Sequence, residues 1–340
     1  MIRFLTVRGR RVAYEVRGAG PPLVCPAWWV GHLERDREDA AAARFWAAVG
    51  EGRTLVRYDR PGVGVSDRGE PADPSLEGEV EVLGAVVDEL GAERVTLLGG
   101  SSGGCAAIAY AARSPERVER LLLYGAYADG PAITRPEVRD AILATVRSHW
   151  GLGSRLLSDV FLGAASAEEQ ERFARFQRAA ASAQTAALLL DQVYRHDVRT
   201  LLPQVQAPTL VVHRREDRAI PYRLGREVAA GIPGAALVPL PGSAHFPWAG
   251  DADAVVRALR TVLDGPRPDV PAAEPAAALL SHREREVLTL VARGLSDREI
   301  AEQMVVSPHT VHRHVANIRR KLGRGSRTAA VAEAARLGLL

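Results

Sequence analysis

The stretch RVTLLGGSSGG, Arg94 to Gly104, decides the fold. It begins as an apolar run typical of a buried strand and ends in two serines enclosed by two pairs of glycines. A strand that turns abruptly into a helix exposes its turn residue at the carboxyl edge of a sheet. Only small residues fit two positions to either side of that turn, as in the pattern G-x-S-x-G. The stretch therefore predicts a strand, a tight turn carrying a serine, and a helix.

Both serines satisfy this spacing. Gly99 and Gly103 flank Ser101, and the neighbouring pair of glycines flanks Ser102 in the same way. We favour Ser101 as the nucleophile because it directly follows the strand and leaves two glycines for close packing of the helix. The backbone N–H of Ser102 would then be one donor of an oxyanion hole. The alternative is a glycine-rich turn that carries no chemistry.

Two later segments supply partners for a serine nucleophile. Asp217 follows the apolar run PTLVVH and His245 follows the run ALVPL, so each lies in a loop after a predicted strand. A serine hydroxyl becomes nucleophilic when an imidazole takes its proton and a carboxylate orients that imidazole. The chain order Ser, Asp, His is that of the α/β-hydrolase triad. Glu216 is the competing acid, and each residue alone could be an ordinary loop side chain.

Around the elbow, apolar runs alternate with helical patterns. Helical stretches cover residues 80–90, 103–112 and 222–230. The apolar runs are PLVCPA, TLVRYD, RVTLLG, VERLLLYG, PTLVVH and AALVPLPG, and they are typical of strands buried on both faces. This alternation predicts an α/β fold with a doubly wound, mostly parallel sheet. Residues from about 130 to 202 have helical spacing and no strand run, so we expect a helical insertion over the top of the sheet.

Residues 1–263 resemble an α/β hydrolase of the serine esterase and lactonase-like branch. YDRPGVGVSD, Tyr58 to Asp67, matches that family's D-x-x-G-x-G-x-S loop, while PTLVVHRREDRAIP and PGSAHFPW match its acid and histidine segments. The resemblance implies that residues 130–202 are a helical lid, which shapes a pocket for a small ligand with an ester, lactone or similar acyl group. It implies no cofactor.

One segment departs from that family's pattern. Most relatives have His-Gly before the first oxyanion loop, whereas this chain has Pro26 and Ala27, followed by Trp28 and Trp29. Because proline offers no N–H, the second oxyanion donor would be the backbone N–H of Trp28. Ala27 tolerates fewer backbone conformations than the usual glycine, which restricts how that N–H is placed. Since the loss of one such donor costs roughly 100- to 1000-fold in rate, hydrolysis could be slow even with an intact triad. Trp28, Trp29 and Trp248 are candidate pocket residues, unless the tryptophans simply fill the core.

Composition sets the broad class. A chain of 340 residues has room for two domains. It has no run of 18 apolar residues, and the opening MIRFLTVRGRR carries charges where a signal peptide needs an apolar centre. We therefore expect a cytoplasmic protein with no membrane span. Cys25 and Cys105, in apolar surroundings, are expected to be buried free thiols, and no metal site is expected.

Charge is placed unevenly along the chain. Residues 276–340 hold 11 basic and 6 acidic residues, whereas the remaining 275 residues hold 33 and 35. The segment DGPRPDVPAAEPAA, residues 264–277, is typical of a stiff, solvated linker. It separates a predicted domain of residues 1–263 from one of residues 278–340. The basic end predicts a polyanion as its partner.

The C-terminal domain contains regularly spaced helix-start signals. They are the capping boxes Ser281/Glu284 and Ser296/Glu299, Ser307 before Pro308, and Ser326. Four helices follow from these signals, and the second and third form a helix-turn-helix.

The third of these helices has two distinct faces. Val311, Val315, Ile318 and Leu322 share one apolar face. The opposite face is basic with a small residue at its centre, which suits close approach to the major groove of DNA. The DNA-contacting residues predicted from this face and its flanks are His309, His312, Arg313, Ala316, Asn317, Arg319, Arg320 and Lys321. The alternative is a solvated cationic face on a helical appendage.

Residues 279–340 closely resemble the LuxR-type helix-turn-helix, as shown by LSHREREVLTLVARGLSDREIAEQMVVSPHTVHRHVANIRRKLG. Asp297 and Met304 are mild departures from its pattern. The resemblance implies a transcription regulator that binds double-stranded DNA as a homodimer at an inverted repeat. It implies that the homodimer forms through the fourth helix. It also implies that His312 and Arg313 face bases, and that Thr310, Arg319 and Lys321 face phosphates.

The combined prediction is a regulator whose hydrolase-like domain senses a small acyl ligand, with or without hydrolysing it. Two rivals remain open. One is an active serine hydrolase that its C-terminal module merely tethers to DNA, and the other is a vestigial hydrolase domain that serves dimerisation.

Overall fold

The chain forms two compact units, Met1–Pro266 and Arg267–Leu340. The computed structural model describes residues 2–71, 73–265, 282–304, 306–321 and 326–336. Apart from its first two residues, the predicted linker lies outside the described residues, as does the predicted capping residue Ser281.

An eight-stranded sheet is the centre of the first unit. Its strands are β1 (Ile2–Val7), β2 (Arg10–Arg17), β3 (Pro22–Cys25), β4 (Thr54–Tyr58), β5 (Val95–Gly100), β6 (Val118–Tyr124), β7 (Thr209–Arg214) and β8 (Ala236–Leu240). They lie in the order β1-β2-β4-β3-β5-β6-β7-β8. Strands β3 to β8 pair in parallel, whereas β2 pairs antiparallel with both β1 and β4.

All six strands predicted from apolar runs are present, so the predicted doubly wound sheet is confirmed. The hairpin β1-β2 lies outside those runs because charged residues interrupt its hydrophobic pattern. Every residue of β5 and β6 is buried, as expected for parallel strands covered on both faces. Pro239 lies in β8, an edge strand, where a missing N–H is tolerated.

Helices cover both faces of the sheet. They are α1 (Ala40–Val49), α2 (Leu76–Glu89), α3 (Ser102–Arg113), α4 (Pro136–Ser148), α5 (Trp150–Leu162), α6 (Ala167–Ala180), α7 (Ala183–Val193), α8 (Tyr222–Gly231) and α9 (Ala252–Leu263). Apolar side chains of α2, α3 and α8 belong to one buried cluster, and those of α1 and α9 to a second cluster. Helices α4 to α7 lie between β6 and β7 and form the predicted helical insertion.

The second unit is a small helical bundle. Its helices are α10 (His282–Ala292), α11 (Asp297–Met304), α12 (Pro308–Lys321) and α13 (Arg327–Arg336). Their buried side chains meet in one core, which includes Val287, Ile300, Val311, Ile318 and Ala334.

Three of the four predicted helix starts in this unit lie in the described residues. Ser296 Oγ accepts the N–H of Glu299, whose carboxylate in turn accepts the Ser296 N–H at 2.7 Å, so this capping box is formed. Ser307 Oγ accepts the N–H of Thr310 at 3.1 Å, and Ser326 Oγ accepts that of Ala329 at 3.1 Å. These side chains satisfy backbone N–H groups that a helix start leaves unpaired.

Two further expectations concern the chain as a whole. Cys25 and Cys105 are buried free thiols, and burial raises the pKa of Cys25 to about 12. None of the helices in the described ranges combines the length and hydrophobicity that crossing a membrane requires.

Candidate functional site

Ser101 lies in the turn between β5 and α3. Its φ is +52° and its ψ is −128°, a conformation that side-chain-bearing residues rarely adopt. The turn is tight enough to require glycine at Gly99, where an added β-carbon would lie 2.8 Å from the β-carbon of Ala107. Ser102 is the first residue of α3 and is completely buried, whereas Ser101 keeps 7% of its surface exposed. This geometry favours Ser101 as the nucleophile.

The structure brings the predicted histidine and acid together. Nδ1 of His245 is 2.8 Å from Oδ2 of Asp217, and Oδ1 of Asp217 accepts the backbone N–H groups of Ala219 and Ile220 at 2.9 and 3.0 Å. Burial alone would raise the pKa of the Asp217 carboxyl, but His245, His213 and the Ile220 N–H together outweigh that effect and hold this pKa below its ordinary value. The competing acid, Glu216, is exposed and accepts the N–H of Gly242 instead.

The second ring nitrogen of His245, Nε2, has a different environment from Nδ1. Nε2 of His245 is buried and has no hydrogen-bond partner in the described part of the chain, so the hydroxyl of Ser101 does not bond to it. The helical insertion holds this histidine: its backbone N–H donates to the carbonyl of Phe161 at 2.7 Å, and the two rings lie 5.7 Å apart. The histidine is thus oriented by Asp217 and by α5.

Arg60 contacts the two segments that would supply the oxyanion hole, at Ala27, the residue before Trp28, and at Ser102. Its Nη2 donates to the carbonyl of Ala27 at 2.8 Å and lies 3.4 Å from Oγ of Ser102. Because the peptide bond between Ala27 and Trp28 is trans, the Trp28 N–H points away from Arg60. The N–H of Ser102 lies in the first turn of α3, where a helix leaves such donors free.

Sequence reasoning did not single out Arg60 or its buried partner. Arg60 is 4% exposed, and its Nη1 is 2.7 Å from a carboxylate oxygen of Glu79. The available signal was its place directly after Asp59, in the loop that resembles the hydrolase pattern. Oδ2 of Asp59 accepts the backbone N–H groups of Leu33 and Val65, and burial raises its pKa to about 7. Asp59 therefore shapes the loop that presents Arg60.

The three candidate pocket tryptophans have different surroundings. The Trp28 ring stacks on Phe246 with 5.4 Å between ring centroids, and it lies 5.5 Å from Trp248. Trp29 is instead 5% exposed, and its indole N–H donates to the carbonyl of Ala186 in α7. This anchor keeps Trp29 in the core, so Trp28 and Trp248 line the cavity described next and Trp29 does not.

A cavity of about 850 Å³ lies between the loop after β3, helix α6 and the loop that carries His245. Its aromatic lining residues are Trp28, Trp46, Tyr58, Phe173, Phe176, Phe246 and Trp248. Ser101, Asp217 and His245 are not among the residues that line it. The cavity therefore lies beside the serine, with Trp28 common to both surroundings.

Helix α12 buries the predicted apolar face and exposes part of the basic one. Val311, Val315 and Ile318 are buried, and the fourth predicted residue, Leu322, lies outside the described residues. Of the predicted DNA-contacting residues, His312, Arg313 and Ala316 are exposed, whereas Thr310, Asn317 and Arg319 are partly buried. The side chains of His309, Arg320 and Lys321 lie outside the described residues.

Asp297, one of the two departures from the LuxR-type pattern, interacts with neighbouring helices. One carboxylate oxygen contacts Arg327 of α13, and the other lies 3.6 Å from Nδ1 of His312 on α12. Asp297 therefore links the start of α11 to both α12 and α13.

Two family models match the chain. The model of the α/β hydrolase fold matches residues 32–249, and the model of bacterial regulatory proteins of the luxR family matches residues 278–334. A 2-hydroxy-6-oxononadienedioate/2-hydroxy-6-oxononatrienedioate hydrolase of Cupriavidus pinatubonensis is 32% identical over 242 residues, which are 68% of this chain and 79% of the relative.

Solved structures agree with the hydrolase match. A hydrolase from Pseudomonas aeruginosa has a TM-score of 0.65 at 25% identity, covering 78% of this chain and 98% of its own. The enol-lactonase from Burkholderia xenovorans has a TM-score of 0.66 at 24% identity, covering 77% and 100%; this second likeness shows the fold alone. The chain belongs to the α/β-hydrolase fold family, and its C-terminal unit belongs to the luxR family of bacterial regulatory proteins.

Proposed function

We propose that this protein is a transcription regulator in which the α/β-hydrolase unit senses a small molecule with an ester, lactone or similar acyl group. The LuxR-type unit implies DNA binding, and the hydrolase unit implies a small-molecule ligand. The observation that carries the proposal is the presence, in one chain, of the exposed basic side of α12 and of a cavity large enough for a small molecule. A ligand controls the protein if it binds one conformational state more tightly than another.

The DNA-binding half of the proposal assigns roles on α12. Arg313 and His312, both exposed, would face base edges, with Thr310, Arg319 and Lys321 at phosphates. A homodimer formed through α13 would place two copies of α12 on an inverted repeat, since a two-fold symmetric protein matches a palindromic site.

The chemical half assigns a triad. Ser101 Oγ would attack the carbonyl carbon of the ligand while its proton moves to Nε2 of His245, which Asp217 orients. The N–H groups of Trp28 and Ser102 would stabilise the oxyanion. The imidazolium would then protonate the leaving alcohol, and water would release the acid and restore Ser101 by the reverse proton transfer. The strained turn at Ser101 and the 2.8 Å histidine–carboxylate contact support this assignment.

The same two observations support the rival, a working hydrolase that the C-terminal module only tethers to DNA.

The first test of the regulator uses the full-length chain and a random pool of duplex DNA, from which the sequences that the protein retains are selected. Enrichment of an inverted repeat is expected, and loss of enrichment in Arg313→Ala but not in Arg293→Ala would assign recognition to α12. Recovery of no sequence preference would contradict the regulator.

A second measurement separates sensing from turnover. A fluorophosphonate probe followed by mass spectrometry identifies the modified serine, which is expected to be Ser101. Hydrolysis of p-nitrophenyl butyrate, if it occurs, should be lost in Ser101→Ala. Ligand-dependent operator binding that persists in Ser101→Ala supports a sensor, whereas loss of that ligand dependence together with hydrolysis would mean that turnover is itself the signal.

A further inference from the structure

We propose that the cavity beside Trp28 binds a small aromatic or aliphatic carboxylate, and that the Trp28 indole separates this ligand from Ser101, so that it is held without being cleaved. The inference rests on the proposed function, in which the hydrolase unit binds the controlling ligand. It adds a carboxylate to the chemical class of that ligand, beside the acyl group, and gives the ligand's position relative to the nucleophile.

The separation follows from the two sets of contacts that Trp28 makes. On one side Trp28 lines the cavity. On the other its ring lies directly against Gly100, the residue before Ser101: a β-carbon added to Gly100 would lie 2.7 Å from Nε1 and still closer to Cζ2 and Cε2. The ring centroid is also 6.2 Å from that of His245. The indole thus occupies the space between the cavity and the elbow.

Aromatic neighbours hold the indole in this place. Phe246 stacks on it with an interplanar angle of 13°, and Trp248 and Tyr124 lie 5.5 and 6.4 Å away between centroids. Such ring pairs each add about 0.5–1.5 kcal/mol beyond the area they bury. A ligand in the cavity would therefore have to displace a well-packed side chain to reach the serine.

The carboxylates that line the cavity are already engaged. Asp36 pairs with Arg57 at 2.8 Å, and Asp59 accepts two backbone N–H groups. Asp39, Glu169 and Asp251 accept the backbone N–H groups at the starts of α1, α6 and α9. Glu38 lies 3.9 Å from Arg35. None of these acids is left as a dedicated site for a cation.

Three lining arginines, in contrast, keep free N–H donors. Arg44, Arg172 and Arg175 are exposed and make no hydrogen bond or ion pair within the described ranges, although the charge of Arg172 reaches Glu169. The lining holds six arginines and six carboxylates, so its net charge does not select the ligand; these unengaged guanidinium groups offer charge-assisted hydrogen bonds to a negatively charged group.

A buried arginine adds to this charge. Arg214 is 2% exposed, and its guanidinium donates to the backbone carbonyls of Ala244, Phe246, Pro247 and Asp251. No carboxylate pairs with it among the described residues, although a buried cation is normally paired. A carboxylate in the adjoining cavity would supply the missing negative charge at short range, where the interior screens charge weakly.

The aromatic lining determines the rest of the ligand. Trp46, Phe173, Phe176 and Trp248 offer flat apolar walls, and a volume of about 850 Å³ is within the range of about 300–1,000 Å³ that small-molecule pockets occupy. An apolar body that carries one carboxylate fits both features.

The binding test uses 2-naphthoate as the probe and the neutral 2-naphthamide as its uncharged match, titrated into the full-length chain by calorimetry. Saturable binding of naphthoate is expected, with the amide at least tenfold weaker. The Arg172→Ala/Arg175→Ala double variant should lose at least tenfold in affinity, whereas Arg147→Ala, an exposed arginine of α4 outside the cavity, should not. Equal affinities for acid and amide would overturn the ligand class.

The separation test measures the rate at which a bulky fluorophosphonate labels Ser101. Trp28→Ala is expected to raise this rate at least tenfold, and Trp28→Phe, which disturbs packing less, to raise it by a smaller factor. Trp150→Phe, which alters an aromatic side chain outside the cavity lining, should leave it unchanged. Saturating naphthoate should not slow labelling of the unmodified protein by a small fluorophosphonate, and complete competition would overturn the separation.

Failure of this inference differs from failure of the proposed function. If naphthoate binds and the Trp28 variants unmask Ser101 but no cavity ligand changes operator binding, the inference stands and ligand control of DNA binding fails. If operator binding responds to an ester that competes fully with labelling of Ser101, the function stands and the inference is overturned.

Discussion

Nδ1 of His245 lies 2.8 Å from Oδ2 of Asp217, while Nε2 on the opposite side of the same ring is buried without a hydrogen-bond partner in the described part of the chain. The contact fixes which nitrogen carries the proton, because a carboxylate accepts and Nδ1 must then donate. In the neutral imidazole Nε2 then carries the free lone pair, which is the form a general base needs.

The first prediction concerns that carboxylate. In Asp217→Asn the amide can present its N–H₂ to Nδ1 and favour the wrong tautomer, so labelling of Ser101 by a fluorophosphonate should slow by up to about 10⁴-fold. The exposed neighbour provides the control, since Glu216→Gln should label at the unmodified rate. The reverse pattern would make Glu216 the acid.

A second prediction concerns Gly100 and Trp28. A β-carbon at Gly100 would overlap the indole, so Gly100→Ala should lower the free energy of unfolding by about 1–3 kcal/mol, as overpacking does. In a Trp28→Ala background the same change should cost much less, which a double-mutant cycle in urea would measure. Gly84→Ala in α2 is the matched control, because its β-carbon would make only an ordinary 3.5 Å contact with Tyr110. Additive effects at positions 28 and 100 would contradict the contact.

The third prediction separates stability from positioning at Arg60. Removing one partner of a buried ion pair leaves the other charge uncompensated, so Arg60→Met should destabilise the protein by about 3–5 kcal/mol. The double variant Arg60→Met/Glu79→Leu should recover most of that stability. The fluorophosphonate should nevertheless label Ser101 in this double variant at least tenfold more slowly than in the unmodified protein, because the Ala27 carbonyl has lost its hydrogen-bond donor. Full recovery of the labelling rate would assign Arg60 a structural role only.

His196 provides a prediction about pH. It is 3% exposed, its Nε2 lies 4.0 Å from Glu79, and burial together with the charge of Arg60 lowers its pKa to about 3. The unfolded chain binds that proton near its ordinary pKa of about 6.5. Stability is therefore fully present above about pH 6.5 and falls as the pH drops toward 3, by up to about 1.4 kcal/mol per pH unit.

The measurement for His196 is urea unfolding at pH 7.5 and pH 5. Between pH 7.5 and pH 5 the free energy of unfolding should fall by about 2 kcal/mol more in the unmodified protein than in His196→Gln. The substitution His312→Gln, at an exposed histidine, should leave that fall unchanged. An identical pH dependence in His196→Gln would show that the buried imidazole does not resist protonation.

The fifth prediction concerns DNA. Arg313→Ala should weaken operator binding by about 1–3 kcal/mol, or roughly 5- to 150-fold, and relax the preference at one base pair, because a base contact specifies sequence. An equal loss of affinity for every DNA sequence would instead place Arg313 at a phosphate. Electrophoretic mobility shifts at fixed salt concentration, with Arg293→Ala as the control, distinguish the two.

Much of the fold was predictable because the relevant signals are local. Six strands follow from short apolar runs, and the turn at Ser101 follows from glycines two positions away. The helix starts at Ser296 and Ser307 follow from polar side chains that bond to N–H groups three residues on. Hairpin β1-β2 was not predictable in this way, since charged residues mask its pattern and pairing with β4 stabilises it.

The sequence by itself determined which chemical groups the chain carries and which turns and helices present them, because side-chain volume and periodicity act over a few residues. Only the tertiary structure decided that Arg60 contacts both Ala27 and Ser102, and that the indole of Trp28 lies on Gly100, 72 positions along the chain. It also decided that the cavity lies beside the serine instead of over it. These relationships depend on how distant loops pack at one edge of the sheet, and no local pattern encodes that packing.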